Sequence, residues 1–403
     1  MLCQCEQEIT LNVQSFSFAS TPKIIFGVGK RGDLARVIRS YGTRVLLVTG
    51  GSSFDRSDLC QTLLSSLLAQ FELRRIRVSG EPSPQLVDDA VAEFSVWQPD
   101  CVVAVGGGSA VDAAKAIAGL LPTGHSVMDY LEGVGRGEVY RGPSTPLIAL
   151  PTTAGTGGET SMNAVLSQVG IHGFKKSFRH ELLVAKTIIL DPELTLACPA
   201  DVTAACGMDA LTQLLESYLS TTASVMTDAL ALSGLACVRD SLLAAVGQGD
   251  DVSARAGMLY ASSVSGLTLA NAGLGSVHGL ASPLGAFFPV PHGVVCGTLL
   301  HAAVRQNMML LKGVPDGAAA LEKYAVAGRL MLNQPLLSGD EARDGLLALL
   351  ATWSERLAIP RLSAYGITDD DLPRIVAHAS GGMKTNPVRL TDEQAIELLR
   401  TRL

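Results

Sequence analysis

Asp209, His278 and His292 are the residues whose types could act together on a substrate. One carboxylate and two neutral imidazoles make the three-donor set of a catalytic zinc site with an open position, and the same set suits ferrous iron. Both histidines fall in residues 256–304, a stretch with no Asp, Glu, Lys or Arg. A buried ring there needs a polar partner, and Asp209 sits in an apolar helical pattern where a lone carboxylate is costly. A metal satisfies all three at once; two core histidines with ordinary hydrogen bonds are the competing reading.

Two glycine-rich segments could meet a nucleotide. Gly106-Gly107-Gly108-Ser109 follows the apolar run Cys101 to Val105 and opens a helical pattern bearing Asp112 and Lys115. Backbone without side chains lets pyrophosphate oxygens approach the amides, and a helix N-terminus adds partial positive charge. Lys115 either pairs with Asp112 or is a solvated helix residue. Gly27-Val28-Gly29-Lys30-Arg31-Gly32 is a literal G-x-G-x-x-G, but that fingerprint needs an acid at the end of the next strand to bind the ribose. After Val45 to Thr49 the chain supplies Gly50-Gly51-Ser52-Ser53, so the earlier segment is expected to be a structural turn. Without that acid nothing repels a 2′-phosphate, and Gly50 and Ser52 offer an amide and a hydroxyl. NADP is therefore favoured over NAD, unless Asp55 reaches back to the ribose.

Such residues need a scaffold, and two textures alternate along the chain to supply it. In the first half, β-rich runs such as Val45 to Thr49, Cys101 to Val105 and Leu147 to Leu150 alternate with helix-spaced segments, as in a doubly wound parallel sheet. After Asp191 the pattern is helical: 205–219, 225–246, 254–269, 318–330, 341–357 and 391–399. A chain of 403 residues exceeds one compact core. Its 47% hydrophobic content can bury a large core, and a net charge of −7 disfavours nucleic acid as a partner. The charge-free stretch is interrupted by Asn271, Pro283, Pro289 and Pro291, which argues for a buried helical core and against a membrane span.

The eight cysteines, Cys296 among them, are scattered and read as reduced small hydrophobes; Cys3-x-Cys5 matches no redox or zinc spacing. Polar residues near the start (Glu6, Gln7, Glu8) do not resemble a secretory signal, so a cytoplasmic enzyme is expected. Lys175, Lys176 and Arg179 could meet an acidic substrate or the 2′-phosphate, or lie on a solvated loop.

Taken in order, Gly106 to Ser109 with Asp112 and Lys115, Pro151 to Glu159, Asp191-Pro192-Glu193-Leu194-Thr195, Gly207 to Tyr218, Gly275 to Gly285, Pro291-His292-Gly293 and Asn386-Pro387 form one set. That set resembles the group III, or iron-containing, alcohol dehydrogenases, related to glycerol dehydrogenases and dehydroquinate synthases. The resemblance covers nearly the whole chain. It implies a dehydroquinate synthase-like fold: a Rossmann-like α/β nucleotide domain over 1–191, an all-helical metal domain over 192–403 and a cleft between them. It puts pyrophosphate on Gly107, Gly108 and Ser109 and turns Thr152, Thr153 and Thr156 toward the cofactor.

Two positions depart from the family pattern. Four-ligand members carry histidine four residues after the aspartate, where this chain has Gln213, able to offer an amide oxygen; zinc and iron are thus equally expected. Typical dehydrogenases carry a second histidine one turn after the ligand His278, where this chain has Ser282, which would then relay the proton with water. The implied activity is hydride transfer between nicotinamide and a small alcohol or aldehyde, by a homodimer or larger assembly. A maleylacetate reductase-like enzyme, a dehydroquinate synthase-like lyase and a nucleotide binder without catalysis are the alternatives.

Overall fold

The computed structural model describes residues 15–379 and 383–403. Cys3, Cys5 and the polar N-terminal residues lie outside them. The strands, in chain order, are β1 (Lys23–Phe26), β2 (Arg44–Gly50), β3 (Glu72–Val78), β4 (Cys101–Gly106), β5 (Leu147–Pro151), β6 (Asn163–Gln168), β7 (Phe174–Arg179) and β8 (Thr187–Leu190). Six of them form one sheet in the order β1-β8-β5-β4-β2-β3, and every pairing is parallel. The apolar runs at its centre are buried on both faces, as a parallel sheet covered by helices requires. Local chemistry sets the helix starts: Ser83 accepts from the Leu86 amide with Pro84 in the first turn, and Ser57 accepts from the Cys60 amide.

The stretch carrying Lys175, Lys176 and Arg179 is not a solvated loop. β6 and β7 pair as an antiparallel hairpin from Asn163↔Arg179 to Gln168↔Phe174. Ala164, Leu166 and Phe178 are its buried residues among the core apolar groups, while Lys175 and Arg179 stand in ion pairs. Lys175 meets Glu81 at 3.1 Å and Arg179 meets Glu132 at 3.2 Å. The lysines and arginine mask a strand whose pattern is only six residues long.

Beyond β8, long helices build the second core: Ala200–Leu219, Val225–Gly247, Val252–Ala272, Ser276–Phe287, His292–Leu311, Gly317–Leu332 and Gly339–Arg356. Two of these, Val225–Gly247 and His292–Leu311, are long and apolar enough to cross a membrane by length and composition. Val225–Gly247 packs one face onto the helical core, and His292–Leu311 is largely buried in the same core, where it contacts Ala200–Leu219. Gly293 makes that approach possible: a Cβ there would stand 2.5 Å from the Ala205 carbonyl oxygen. The charge-free stretch thus becomes three consecutive buried helices around one site.

Candidate active site

A cleft of about 1400 Å³ runs between the strand ends and the helical half. Gly107, Gly108, Ser109 and Asp112 line it together with Gly50, Ser52, Thr152, Thr153 and Thr156. β4 delivers its glycine turn to the N-terminus of helix Gly108–Leu120, whose first amides have no partner within the helix. The threonine loop closes over that turn. A Cβ on Gly107 would lie 3.1 Å from Thr153 Oγ1, and one on Gly108 would lie 2.9 Å from Thr156 Oγ1. Bare backbone under hydroxyls is a cradle that fits a diphosphate. Gly106 stands behind this wall: its Cβ would meet Ala110 and the Gly50 amide at 2.6 and 3.0 Å, so its glycine serves strand packing.

Below the cradle lie groups that the sequence reading left open. Lys115 is fully buried, and its Nζ donates to the Ser161 carbonyl at 2.7 Å, to Ser161 Oγ at 3.0 Å and to the Asn163 carbonyl at 2.8 Å. It is not a solvated residue; it ties the cradle helix to β6. Burial lowers its pKa and raises that of Asp112, against their mutual attraction. Burial likewise pushes Glu159 up to about 7, and its Oε1 has no hydrogen-bond partner among the described residues.

The earlier glycine segment is a structural turn, as expected, and the reason is visible. Asp191 at the end of β8 accepts from the Gly29 amide at 3.2 Å and from the Arg31 amide at 3.0 Å. Arg31 Nη1 meets the same carboxylate at 2.8 Å. The chain's own anion fills the turn. At the end of β2, Asp55 is likewise taken: it pairs with Arg75 at 2.7 Å and Arg77 at 3.2 Å and does not line the cleft.

On the helical side, Asp209, His278 and His292 converge on the same cleft. Asp209 comes from the third turn of Ala200–Leu219, His278 from the first turn of Ser276–Phe287, and His292 opens His292–Leu311. His278 Nε2 is 3.3 Å from Asp209 Oδ1, and His292 Nε2 is 3.7 Å from it. The second distance is too long for a hydrogen bond, and His292 Nδ1 is buried with no partner among the described residues. A hydrogen bond joins His278 to Asp209, but none joins His292 to it. Lone pairs directed at one point fit a divalent cation, as zinc or ferrous iron requires.

Glu216, which sequence reading missed, orients the ring. One carboxylate oxygen is 2.7 Å from His278 Nδ1, and the other accepts from the Val277 amide at 2.7 Å. With the Nδ1 proton held there, Nε2 is the nitrogen that would give its lone pair to a bound cation. Asn386 caps the same helix start, accepting from the Ser276 amide at 3.0 Å. The only trace of Glu216 in the sequence is its position seven residues after Asp209, two helical turns on the same face. Cys296 was missed as well. Its Sγ lies 3.6 Å from His278 Nε2 and 3.8 Å from His292 Nε2.

Gln213 does not present an oxygen to the cluster. Its Oε1 accepts from Ser265 Oγ at 2.6 Å, which leaves Nε2 facing Asp209 at 3.3 Å. Ser282 lines the cleft one turn after His278, and its hydroxyl donates to the Lys175 carbonyl at 2.9 Å. Burial opposes charge on Asp209, but His292 and His278 outweigh it and hold the carboxyl below its usual range. Burial also opposes protonation of His278, and there Cys296, Asp209 and Glu216 prevail and raise it. His292 moves the other way, because burial exceeds the pull of Asp209. Burial pushes the Cys296 thiol up to about 12.

Residues 21–192 match the family model "Iron-containing alcohol dehydrogenase", and residues 203–403 match "Fe-containing alcohol dehydrogenase family, C-terminal". Alcohol dehydrogenase 4 of Saccharomyces cerevisiae is 34% identical over 395 residues, 95% of this chain and 97% of that protein. The crystal structure of a 1,3-propanediol oxidoreductase superposes with a TM-score of 0.86 at 29% identity, covering 97% of this chain and all of the other. A sulfoacetaldehyde reductase from Bifidobacterium kashiwanohense, solved in complex with NAD+, superposes with a TM-score of 0.82 at 25% identity over 96% of this chain and 99% of its own.

Proposed function

Since the chain belongs to the iron-containing alcohol dehydrogenase family, we propose that its cleft holds a nicotinamide nucleotide on the glycine turn and a divalent cation on Asp209, His278 and His292. It is an oxidoreductase of alcohols or aldehydes, as its relatives are. The observation carrying this reading is the convergence of one carboxylate oxygen and two imidazole nitrogens on the cleft that the glycine turn also lines. When bound, the cation supplies Lewis acidity toward a substrate oxygen, and the nicotinamide gives or takes the hydride.

The chain's own residues do the rest by position. Amides of Gly107, Gly108 and Ser109 bind the pyrophosphate, and Thr152, Thr153 and Thr156 cover it. Glu216 keeps the His278 lone pair aimed into the cleft. Ser282 offers lone pairs to a cleft water while its proton rests on the Lys175 carbonyl, so the substrate proton leaves through that water.

NADP is the preferred nucleotide on this reading. Residues Gly50 to Ser53 carry no carboxylate, Glu81 in the same cleft is paired with Lys175, and Asp55, the nearest acid in sequence, is engaged by Arg75 and Arg77. The enzyme works in the cytoplasm as a homodimer or larger assembly. Among the described residues, Ile24, Phe26 and Val28 are exposed at the β1 edge of the sheet, a surface suited to a second copy. The test is a spectrophotometric screen of short aldehydes with NADPH and NADH, with zinc and ferrous iron compared. Metal-dependent oxidation of NADPH is the expected result; no turnover with either nucleotide under any metal overturns the reading.

A further inference from the structure

The donor cluster contains one more Lewis base than the three residues assigned above. Cys296 sits one helical turn after His292 on the same helix, so both side chains point to the same place. One ligand atom from each of Asp209, His278, His292 and Cys296 lies within 4.8 Å of all the others. Gln213, the other polar neighbour, has one end of its amide 3.3 Å from Asp209 Oδ1 and the other 2.6 Å from Ser265 Oγ.

The donor separations match those of a coordination polyhedron. Four donors on a tetrahedral zinc, with Zn–N and Zn–O near 2.0–2.2 Å and Zn–S near 2.3 Å, are separated by roughly 3.3–3.6 Å. The structure has 3.3 and 3.7 Å from Asp209 Oδ1 to the two imidazoles, and 3.6 and 3.8 Å from Cys296 Sγ to the same nitrogens. Cys296 is also buried and does not line the cleft, whereas the other three do. The thiol therefore approaches from behind, and a substrate oxygen arriving from the cleft would be a fifth donor, the five-coordinate expansion that catalytic zinc accommodates.

We propose that Cys296 is a fourth protein ligand of the cation, giving an Asp-His-His-Cys donor set that selects zinc over ferrous iron. This rests on the metal reading of Asp209, His278 and His292. On coordination the S–H bond breaks, the sulfur keeps the electron pair for the metal, and the proton passes to solvent. A soft thiolate added to two imidazoles moves the site toward zinc, which also stands above iron in intrinsic affinity.

Cobalt(II) is the probe. Full-length protein stripped with a chelator and reloaded with cobalt should show a thiolate-to-cobalt charge-transfer band in the near ultraviolet beside the visible ligand-field bands. Cys296→Ser should lose that band, keep ligand-field bands and bind zinc about 100-fold more weakly in competition with a chromophoric chelator. Cys206→Ser, which alters the cysteine that does line the cleft, should keep the band. Cobalt bound in the parent without a charge-transfer band, or a band surviving in Cys296→Ser, overturns the thiolate ligand and leaves the three-ligand site standing. Absence of cobalt binding in the parent overturns both. The parent spectrum and the Cys206 variant decide the matter even if Cys296→Ser does not fold.

Discussion

The two walls of the cleft recognise their ligands with different atoms. The sheet wall offers backbone amides at a glycine turn, held from below by Lys115 and covered by threonines. The helical wall offers side chains, Asp209, His278 and His292 each from a different helix, with His278 oriented by Glu216. Backbone recognition tolerates side-chain change except where a Cβ would fill the cradle. Side-chain recognition fails when one ligand is lost. The two walls should therefore be separable by mutation.

The strongest break is on the helical wall. His278→Ala should lower kcat by on the order of 10³-fold or more, because several kcal/mol of transition-state charge stabilisation go with the ligand. Nucleotide affinity, read by NADPH fluorescence, should change by less than about twofold. A variant that retained the parent rate would remove the metal from the reaction.

The opposite break is smaller. Gly108→Ala introduces a Cβ at 2.9 Å from Thr156 Oγ1, into the space between turn and hydroxyl. Loss of one charge-assisted amide contact to phosphate costs about 1.5–3 kcal/mol, or roughly 10–100-fold in affinity. Zinc affinity should not move. If zinc binding weakened alongside nucleotide binding, the walls would be coupled and the comparison would fail.

Support beneath the cradle can be read through pH. Burial pushes Glu159 up to about 7 from 4.5, so between those values the native chain holds a proton that the unfolded chain has released. The stability contributed by neutral Glu159 is therefore complete below about pH 4.5 and is lost as pH rises through about 7. Glu159→Gln is close in shape and permanently neutral. Relative to the parent, it should gain on the order of 1–3 kcal/mol at about pH 8 compared with about pH 4.5 in urea unfolding. Parallel pH profiles for the two proteins would mean that Glu159 does not ionise in this range.

The same division explains what could be read before folding. The parallel strands were legible because Val102 to Val105 and Leu147 to Leu150 are apolar on both faces. Asp209, His278 and His292 stood out because a charge-free core makes isolated polar rings conspicuous. Glu216 did not, since its role depends on a helix start and on Asn386, 170 residues further on. Cys296 read as a small hydrophobe because nothing local to a thiol shows which nitrogens it will meet. Lys115 stayed undecided for a similar reason: its partners are backbone carbonyls at Ser161 and Asn163, and carbonyls leave no mark in a sequence.

Within the sheet wall, two glycine turns sharpen the comparison further. Gly106 to Ser109 opens on the cleft, whereas the turn at Gly27 to Gly32 is closed by Asp191, which accepts two amides and pairs with Arg31. The motif alone does not bind phosphate; an empty anion position does. Asp191→Asn keeps the shape but removes the charge and sets an NH2 group against donors that one carboxylate oxygen now accepts. The expected loss is about 1–3 kcal/mol, the cost of buried donors left unpaired. Urea unfolding measures that loss, and NADPH titration of the same variant should be unchanged. A weaker nucleotide complex would show that the closed turn takes part in binding, and the distinction between filled and open turns would have to be abandoned.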